Sequence, residues 1–144
     1  MTPFERAWDH VVGGFRVADV IGSTAVQYAA QGDFKAAFAK MDEAEALARS
    51  VLDGWSAATS GSDVWESLDE PLREFAEAYA QTARAARADV ASVLAGSTSD
   101  LGIAVTAILL RKTNDAARAL TESARALSAS LGGDPARIVS LTEE

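Results

Sequence analysis

Apolar and small residues recur along four long segments of the chain at alternating steps of three and four positions. This spacing places them on one face of an α-helix, and its repetition in all four segments is typical of helices that share a core. The pattern predicts an all-α fold: a single-domain, antiparallel, up-down-up-down four-helix bundle. The core-facing positions include Phe4, Trp8, Val11 and Phe15 in the first segment, Ala37, Met41 and Trp55 in the second, Leu72, Phe75 and Tyr79 in the third, and Ile103, Leu110 and Leu120 in the fourth.

Capping residues, glycines and prolines set the expected helix limits. Thr2 and Glu5 fit a capping box around Pro3, and Gly132 with Gly133 stops the last helix. A glycine pair at Gly13–Gly14 is expected to kink or briefly interrupt the first helix. The bundle is predicted over 1–135, with helices at about 3–31, 33–53, 70–95 and 100–131, the longest loop at 54–62, a short extra turn at 63–68 and a C-terminal tail, 136–144, that forms one more turn or stays mobile.

Charge placement on the last two helices predicts their register. If these helices fold back on each other around residue 97, the numbers of facing residues sum to roughly 195. This register would pair Glu77 with Arg118 and Glu70 with Arg125. Exposed pairs of this kind contribute roughly 0–1 kcal/mol each, so they select an orientation more than they stabilise it.

Composition limits the classes of function. The chain has 144 residues, no cysteine and a formal net charge of −8. The missing cysteines exclude disulfides and thiolate metal sites, and no apolar stretch is long enough to cross a bilayer. The acidity disfavours nucleic acid and anionic membranes as partners. We therefore expect a cytoplasmic protein whose partner is another protein or a neutral small ligand.

The sequence offers little for catalysis, and we expect neither an enzyme nor a cofactor. His10 is the only histidine and lies one step off the apolar face, which predicts a solvated side chain. The segment Glu74 to Glu77 resembles the first half of the Glu-x-x-Glu and Glu-x-x-Asp motifs of all-helical nucleotide pyrophosphohydrolases, which would imply a magnesium site. No Glu-x-x-Asp follows it. The spacing of Glu66, Glu70, Glu74 and Glu77 instead predicts a solvated acidic helix face.

Two connections resemble known helical hairpins. The stretch Ala29 to Ala37 resembles the middle of a tetratricopeptide-type hairpin, although no second copy follows 34 residues on. The turn Gly54 to Ala57 resembles that of the small helical-hairpin proteins of type VII secretion, with Ala57 in place of their glycine. Their C-terminal Tyr-x-x-x-Asp/Glu export signal is missing, because Ala83 stands four residues after Tyr79 where the signal has an acidic residue.

Two helices carry more apolar residues than one shared core requires. We interpret the extra residues as one composite patch that binds a partner protein or a second copy of the chain, giving a homodimer. The alternatives are that the core-facing positions shift near residue 106, or that the first helix breaks at its glycines. The residues are Val17, Val20, Ile21 and Tyr28 in helix 1 and Leu101, Val105, Ile108 and Leu109 in helix 4.

The resulting hypothesis is a non-catalytic helical module for protein–protein interaction or assembly. One alternative is a small toxin-neutralising or secretion-associated binder, whose acidic surface would match a basic partner. Another is a magnesium-dependent enzyme that uses carboxylates alone, built on the glutamates that surround Glu74.

Overall fold

Four α-helices and two short 3₁₀ helices account for the secondary structure in the computed structural model, which describes residues 2–59, 65–96 and 100–141. No strand occurs in these ranges. The predicted all-α bundle is therefore confirmed. The α-helices are α1 (Pro3–Ala30), α2 (Phe34–Thr59), α3 (Asp69–Leu94) and α4 (Asp100–Ser130), and the 3₁₀ helices are Glu66–Leu68 and Pro135–Arg137.

Both ends of α1 form where the sequence predicts them. The Glu5 amide donates to Thr2 Oγ1 at 3.1 Å and the Thr2 amide to Glu5 Oε2 at 3.3 Å, which completes the capping box. Gly32 has a φ of +82° after α1. In this left-handed conformation glycine carries no Cβ penalty, so the chain can turn directly into α2.

Helix α1 runs without interruption through Gly13 and Gly14, so the glycine pair does not break the helix. The two glycines differ in surroundings. A Cβ built on Gly13 would meet no atom within 4 Å, whereas one built on Gly14 would overlap Cγ2 of Val51 in α2. Gly14 therefore allows α1 and α2 to approach closely, which offsets the intrinsic helix cost of a glycine.

The predicted end of helix 2 at Asp53 is wrong, because α2 continues to Thr59. The predicted loop 54–62 is therefore helical over its first six residues, while 60–62 lie outside the described ranges. Trp55 explains the extension. Its side chain is buried, packs edge-on against Phe4, stacks on Trp65 and donates from Nε1 to Asp69 Oδ1 at 3.1 Å. This packing outweighs the roughly 1 kcal/mol that Gly54 costs inside a helix.

Cross-helix hydrogen bonds confirm the antiparallel register of α3 and α4. The Thr82 and Thr113 hydroxyls lie 2.9 Å apart, and Thr106 Oγ1 donates to Asp89 Oδ2 at 2.6 Å. Both pairs have residue numbers that sum to 195, as the charge pattern predicts.

The ion pairs expected from that register are not formed. Glu70 pairs with Arg73 in its own helix, and Arg125 donates to the Ile138 carbonyl. Among the described residues, Glu77 and Arg118 make no salt bridge. Ion pairs across helices form elsewhere, because Arg84 and Arg87 of α3 pair with Glu45 and Asp42 of α2. An exposed pair contributes only roughly 0–1 kcal/mol, so the register alone does not select it.

The two ends of the bundle are packed differently. The end at which α1 begins, here called the aromatic end, contains Phe4, Trp8, Trp55 and Leu68 in one buried cluster. The opposite end has small residues inside, and we call it the alanine end. Its buried side chains are Ala18, Ala25, Ala37, Met41, Ala44 and Thr113.

The C-terminal tail docks on the bundle through Leu141, the last described residue. Asp134 caps the turn Pro135–Arg137 by accepting from the Ala136 amide at 3.0 Å, which is the first of the two outcomes expected for the tail. Beyond it, Ile138 is buried and the Val139 carbonyl accepts from Trp8 Nε1 at 2.8 Å. The Leu141 amide donates to Thr121 Oγ1 at 3.2 Å. These contacts place the tail beside α1 and α4, from the aromatic end toward the middle of the bundle.

Candidate functional site

The eight predicted partner-binding residues differ in exposure. Val20 and Ile108 are 66% and 61% exposed, and Val17 and Val105 are also exposed. Three more, Ile21, Tyr28 and Leu109, are half-buried, and the side chain of Leu101 lies outside the described part of the structure. We call the set on α1 (Val17, Val20, Ile21, Tyr28) the α1 stripe and the set on α4 (Leu101, Val105, Ile108, Leu109) the α4 stripe.

Helix geometry places the two stripes on different flanks of the bundle. Gly14 marks the side of α1 that touches α2, and Val17 and Ile21 follow at three and seven residues, on that same side. In the register of α3 and α4, Val105 stands opposite Val90 of α3. Each stripe is thus continuous along its own helix, but a partner would meet the two from different directions.

Two exposed apolar residues that were not among the predicted partner-binding residues lie between α1 and α4. Val26 on α1 is 63% exposed and Leu110 on α4 is 51% exposed. The apolar spacing assigns Leu110 to the core, and its exposure corrects that assignment. The sequence feature that could have predicted this exposure is the presence of small residues at core positions of three helices, Gly22, Ala44 and Ala117. Such residues leave the helices without large side chains to pack between them.

Behind Val26 and Leu110 lies a cavity of about 270 Å³. All four helices line it, and its exposed lining residues all belong to α1 and α4, so it opens between these two helices. Among neighbouring helices in the described structure, α1 and α4 also share the smallest interface. The lining residues are Asp19, Gly22, Val26, Met41, Ala44, Phe75, Tyr79, Thr82, Ala83, Ala86, Leu110, Thr113, Asn114, Ala117 and Leu141.

Two polar pairs interrupt the apolar lining. The Tyr79 hydroxyl donates to Asp19 Oδ1 at 3.0 Å, which links α3 to α1 at the cavity mouth. Burial raises the pKa of the Tyr79 phenol above its ordinary value, and the neighbouring Asp19 carboxylate raises it further. The phenol therefore stays protonated and keeps donating at any ordinary pH. Deeper in the cavity, Thr82 faces Thr113.

The residues considered for catalysis lie at the surface. Glu66, Glu70, Glu74 and Glu77 are all exposed, as a solvated acidic face predicts, and His10 is exposed as well. Within the described ranges, no group of three or more histidine or carboxylate side chains converges as a metal site would require.

Comparisons with known proteins give no family for this chain. No family model matches it, and neither curated proteins nor solved structures yield a similar protein. In the part of the chain that is described, no helix has both the length and the apolar character needed to cross a membrane.

Proposed function

We propose that this chain is a non-catalytic helical interaction module that associates through the aliphatic stripes on α1 and α4. One observation carries the proposal. Of the nine large hydrophobic side chains that are exposed in the described structure, four belong to the two stripes, Val17 and Val20 on α1 and Val105 and Ile108 on α4. Scattered exposed aliphatics are ordinary, whereas concentration in two segments at one end of a bundle is typical of an interaction surface.

Homodimerisation through the α4 stripe is the form of association we propose first. A twofold axis brings the same surface of two copies together, so a single apolar stripe on one helix suffices for both sides of the contact. Ile108 lies at its centre and Val105 one turn away on the same side of α4. The α1 stripe, on a different flank, remains available to another protein in this arrangement.

Replacing Ile108 by glutamate is expected to convert a dimer into a monomer. The side chain is 61% exposed in the single chain, so glutamate is tolerated there, but two carboxylates would face each other across the twofold axis. We expect the dissociation constant to rise at least about tenfold. Size-exclusion chromatography with light scattering gives the mass, and circular dichroism checks that the variant remains helical.

Leu131→Glu is the matched control, because Leu131 is also an exposed aliphatic residue but follows α4 at the aromatic end. It should remain dimeric. A folded wild-type chain that stays monomeric across the concentration range would contradict self-association. Dissociation of the Leu131→Glu variant to the same extent would show that the contact lies elsewhere.

Salt is expected to strengthen the dimer. Each copy carries a formal charge of −8, so two copies repel each other, while the contact between the stripes is apolar. Raising sodium chloride from about 50 mM to about 500 mM shortens the screening distance and should lower the dissociation constant. Sedimentation equilibrium at several salt concentrations measures this trend. An interface held by ion pairs would weaken over the same range.

A further inference from the structure

We propose that the cavity between the four helices at the alanine end is a binding site for a small, uncharged, largely apolar molecule that carries one hydrogen-bond donor. This site is separate from the two stripes, since it opens on the surface between α1 and α4. The proposal therefore does not depend on the interaction proposed above.

The cavity exists because small residues from every helix meet at one level of the core. Gly22, Ala44, Ala86 and Ala117 line it where the aromatic end has phenylalanine, tryptophan and leucine. Gly22 lines the cavity, and a Cβ built on it would meet no atom within 4 Å, so a larger side chain at this position has room to enter the cavity. The opening of about 270 Å³ is lined by residues of all four helices, so it reaches between them into the core, where side chains normally leave few voids.

The size of the cavity limits the occupant. An apolar cavity of roughly 150 Å³ accommodates benzene, so this larger one accommodates a fused two-ring molecule of the size of indole. The side chains of Phe75, Tyr79, Met41 and Leu110 contribute apolar surface to the lining. Sites of this type bind mainly through burial of apolar surface, with a few polar groups that orient the ligand.

The Thr82–Thr113 pair decides which polar group the ligand carries. Thr82 Oγ1 lies 2.9 Å from the Ala78 carbonyl, Thr113 Oγ1 lies 2.9 Å from the Leu109 carbonyl, and the two hydroxyls are 2.9 Å apart. The two hydroxyl groups have two protons for these three contacts, so neither has a proton left to donate to a ligand. Their oxygen atoms still have lone pairs that can accept a hydrogen bond from one. A ligand N–H or O–H group fits these acceptors.

Charge at the mouth excludes anions. The Asp19 carboxylate lies at the opening and accepts a hydrogen bond from Tyr79, and the whole chain has a formal charge of −8. A carboxylate or phosphate would be repelled on entry and would find no cation among the lining residues. Fatty acids are thus disfavoured, and neutral aromatic or aliphatic donors are favoured.

Isothermal titration with three probes tests the ligand class. We expect indole to bind at one site per chain with a dissociation constant on the order of 0.1–1 mM, as its few atoms allow. We expect 1-benzothiophene, which has the same shape without a donor, to bind more weakly, and indole-3-carboxylate not to bind. Absence of binding by both neutral probes would overturn the proposal.

Two glycines of α1 provide a matched pair that locates the site. Gly22→Leu places a side chain in the cavity and should weaken indole binding more than tenfold, while Gly13→Leu, on a side of α1 that does not line the cavity, should bind as the wild type does. Both replace a helical glycine that has no neighbour within 4 Å of its Cβ, so both should fold. Unchanged binding by Gly22→Leu would overturn the location.

Thr113→Val tests whether the Thr113 hydroxyl accepts a hydrogen bond from the ligand, because it removes the hydroxyl and nearly keeps the shape of the side chain. It should weaken indole binding by about threefold to tenfold through loss of an acceptor and should leave 1-benzothiophene unaffected. Methyl NMR shifts at Thr82 on addition of indole give an independent readout if Gly22→Leu proves difficult to purify. Equal binding of indole to Thr113→Val and the wild type would contradict the assigned role of the threonine pair.

Discussion

Trp8→Ala is expected to reduce the free energy of unfolding by about 3–5 kcal/mol, which is a large part of the stability of an ordinary domain. The side chain is only 1% exposed and lies at the centre of the aromatic end. Its removal leaves a void in the buried cluster that also contains Phe4, Leu120 and Ile138, and it takes away the donor that holds the Val139 carbonyl. Urea denaturation followed by circular dichroism measures the loss.

Trp8→Phe separates the two contributions of the indole. It keeps most of the apolar volume and removes the N–H, so the hydrogen bond to the carbonyl of the exposed Val139 is lost at a cost of about 0.5–1.5 kcal/mol. Hydrogen exchange of the segment 134–141 should accelerate in this variant, because the tail loses an anchor. A tail that exchanges as slowly as in the wild type would show that Trp8 does not hold it.

Gly14→Ala is expected to destabilise the protein by about 1–3 kcal/mol, through overpacking between α1 and α2. The added methyl would overlap Cγ2 of Val51, and a valine in a helix has one strongly preferred rotamer, so it cannot move aside without cost. The added methyl group can then be accommodated only if α1 and α2 move apart. Thermal and urea unfolding of the variant test this directly.

Gly13→Ala is the control one position earlier, with the opposite expected sign. The new Cβ meets no atom within 4 Å, so the gain in helix propensity should stabilise the protein by about 0.5–1 kcal/mol. Similar effects of the two substitutions would contradict the close approach of α1 and α2 at Gly14.

Much of the fold could be predicted because its determinants are local. Thr2 and Glu5 cap α1, Gly32 ends it, and Asp134 caps the last turn, each through groups within a few residues in sequence. The register of α3 and α4 was also accessible, because a short connection fixes which residues can face each other. The end of α2 was not, because Trp55 is held by Phe4 and Trp65, which are distant in sequence.

The candidate sites divide in the same way. The exposure of Val20 and Ile108 follows from their positions off the apolar face, which periodicity alone specifies. The cavity forms because all four helices contribute small residues at the same level of the bundle. No single segment of the sequence specifies which residues of the other helices lie at its own level. Leu110 illustrates the difference, since its spacing predicts a core residue and the gap between α1 and α4 leaves it exposed.

The sequence by itself determined the helical class, the number of α-helices and most of their limits. It also determined the presence of surplus aliphatic residues on α1 and α4. All of these depend on residue spacing and capping within a single segment of the chain. Tertiary structure alone decided that the two stripes occupy different flanks, that the tail lies beside Trp8, and that the alanine end encloses a cavity. These features depend on how far apart packed helices stand, and that distance is set jointly by side chains from all of them.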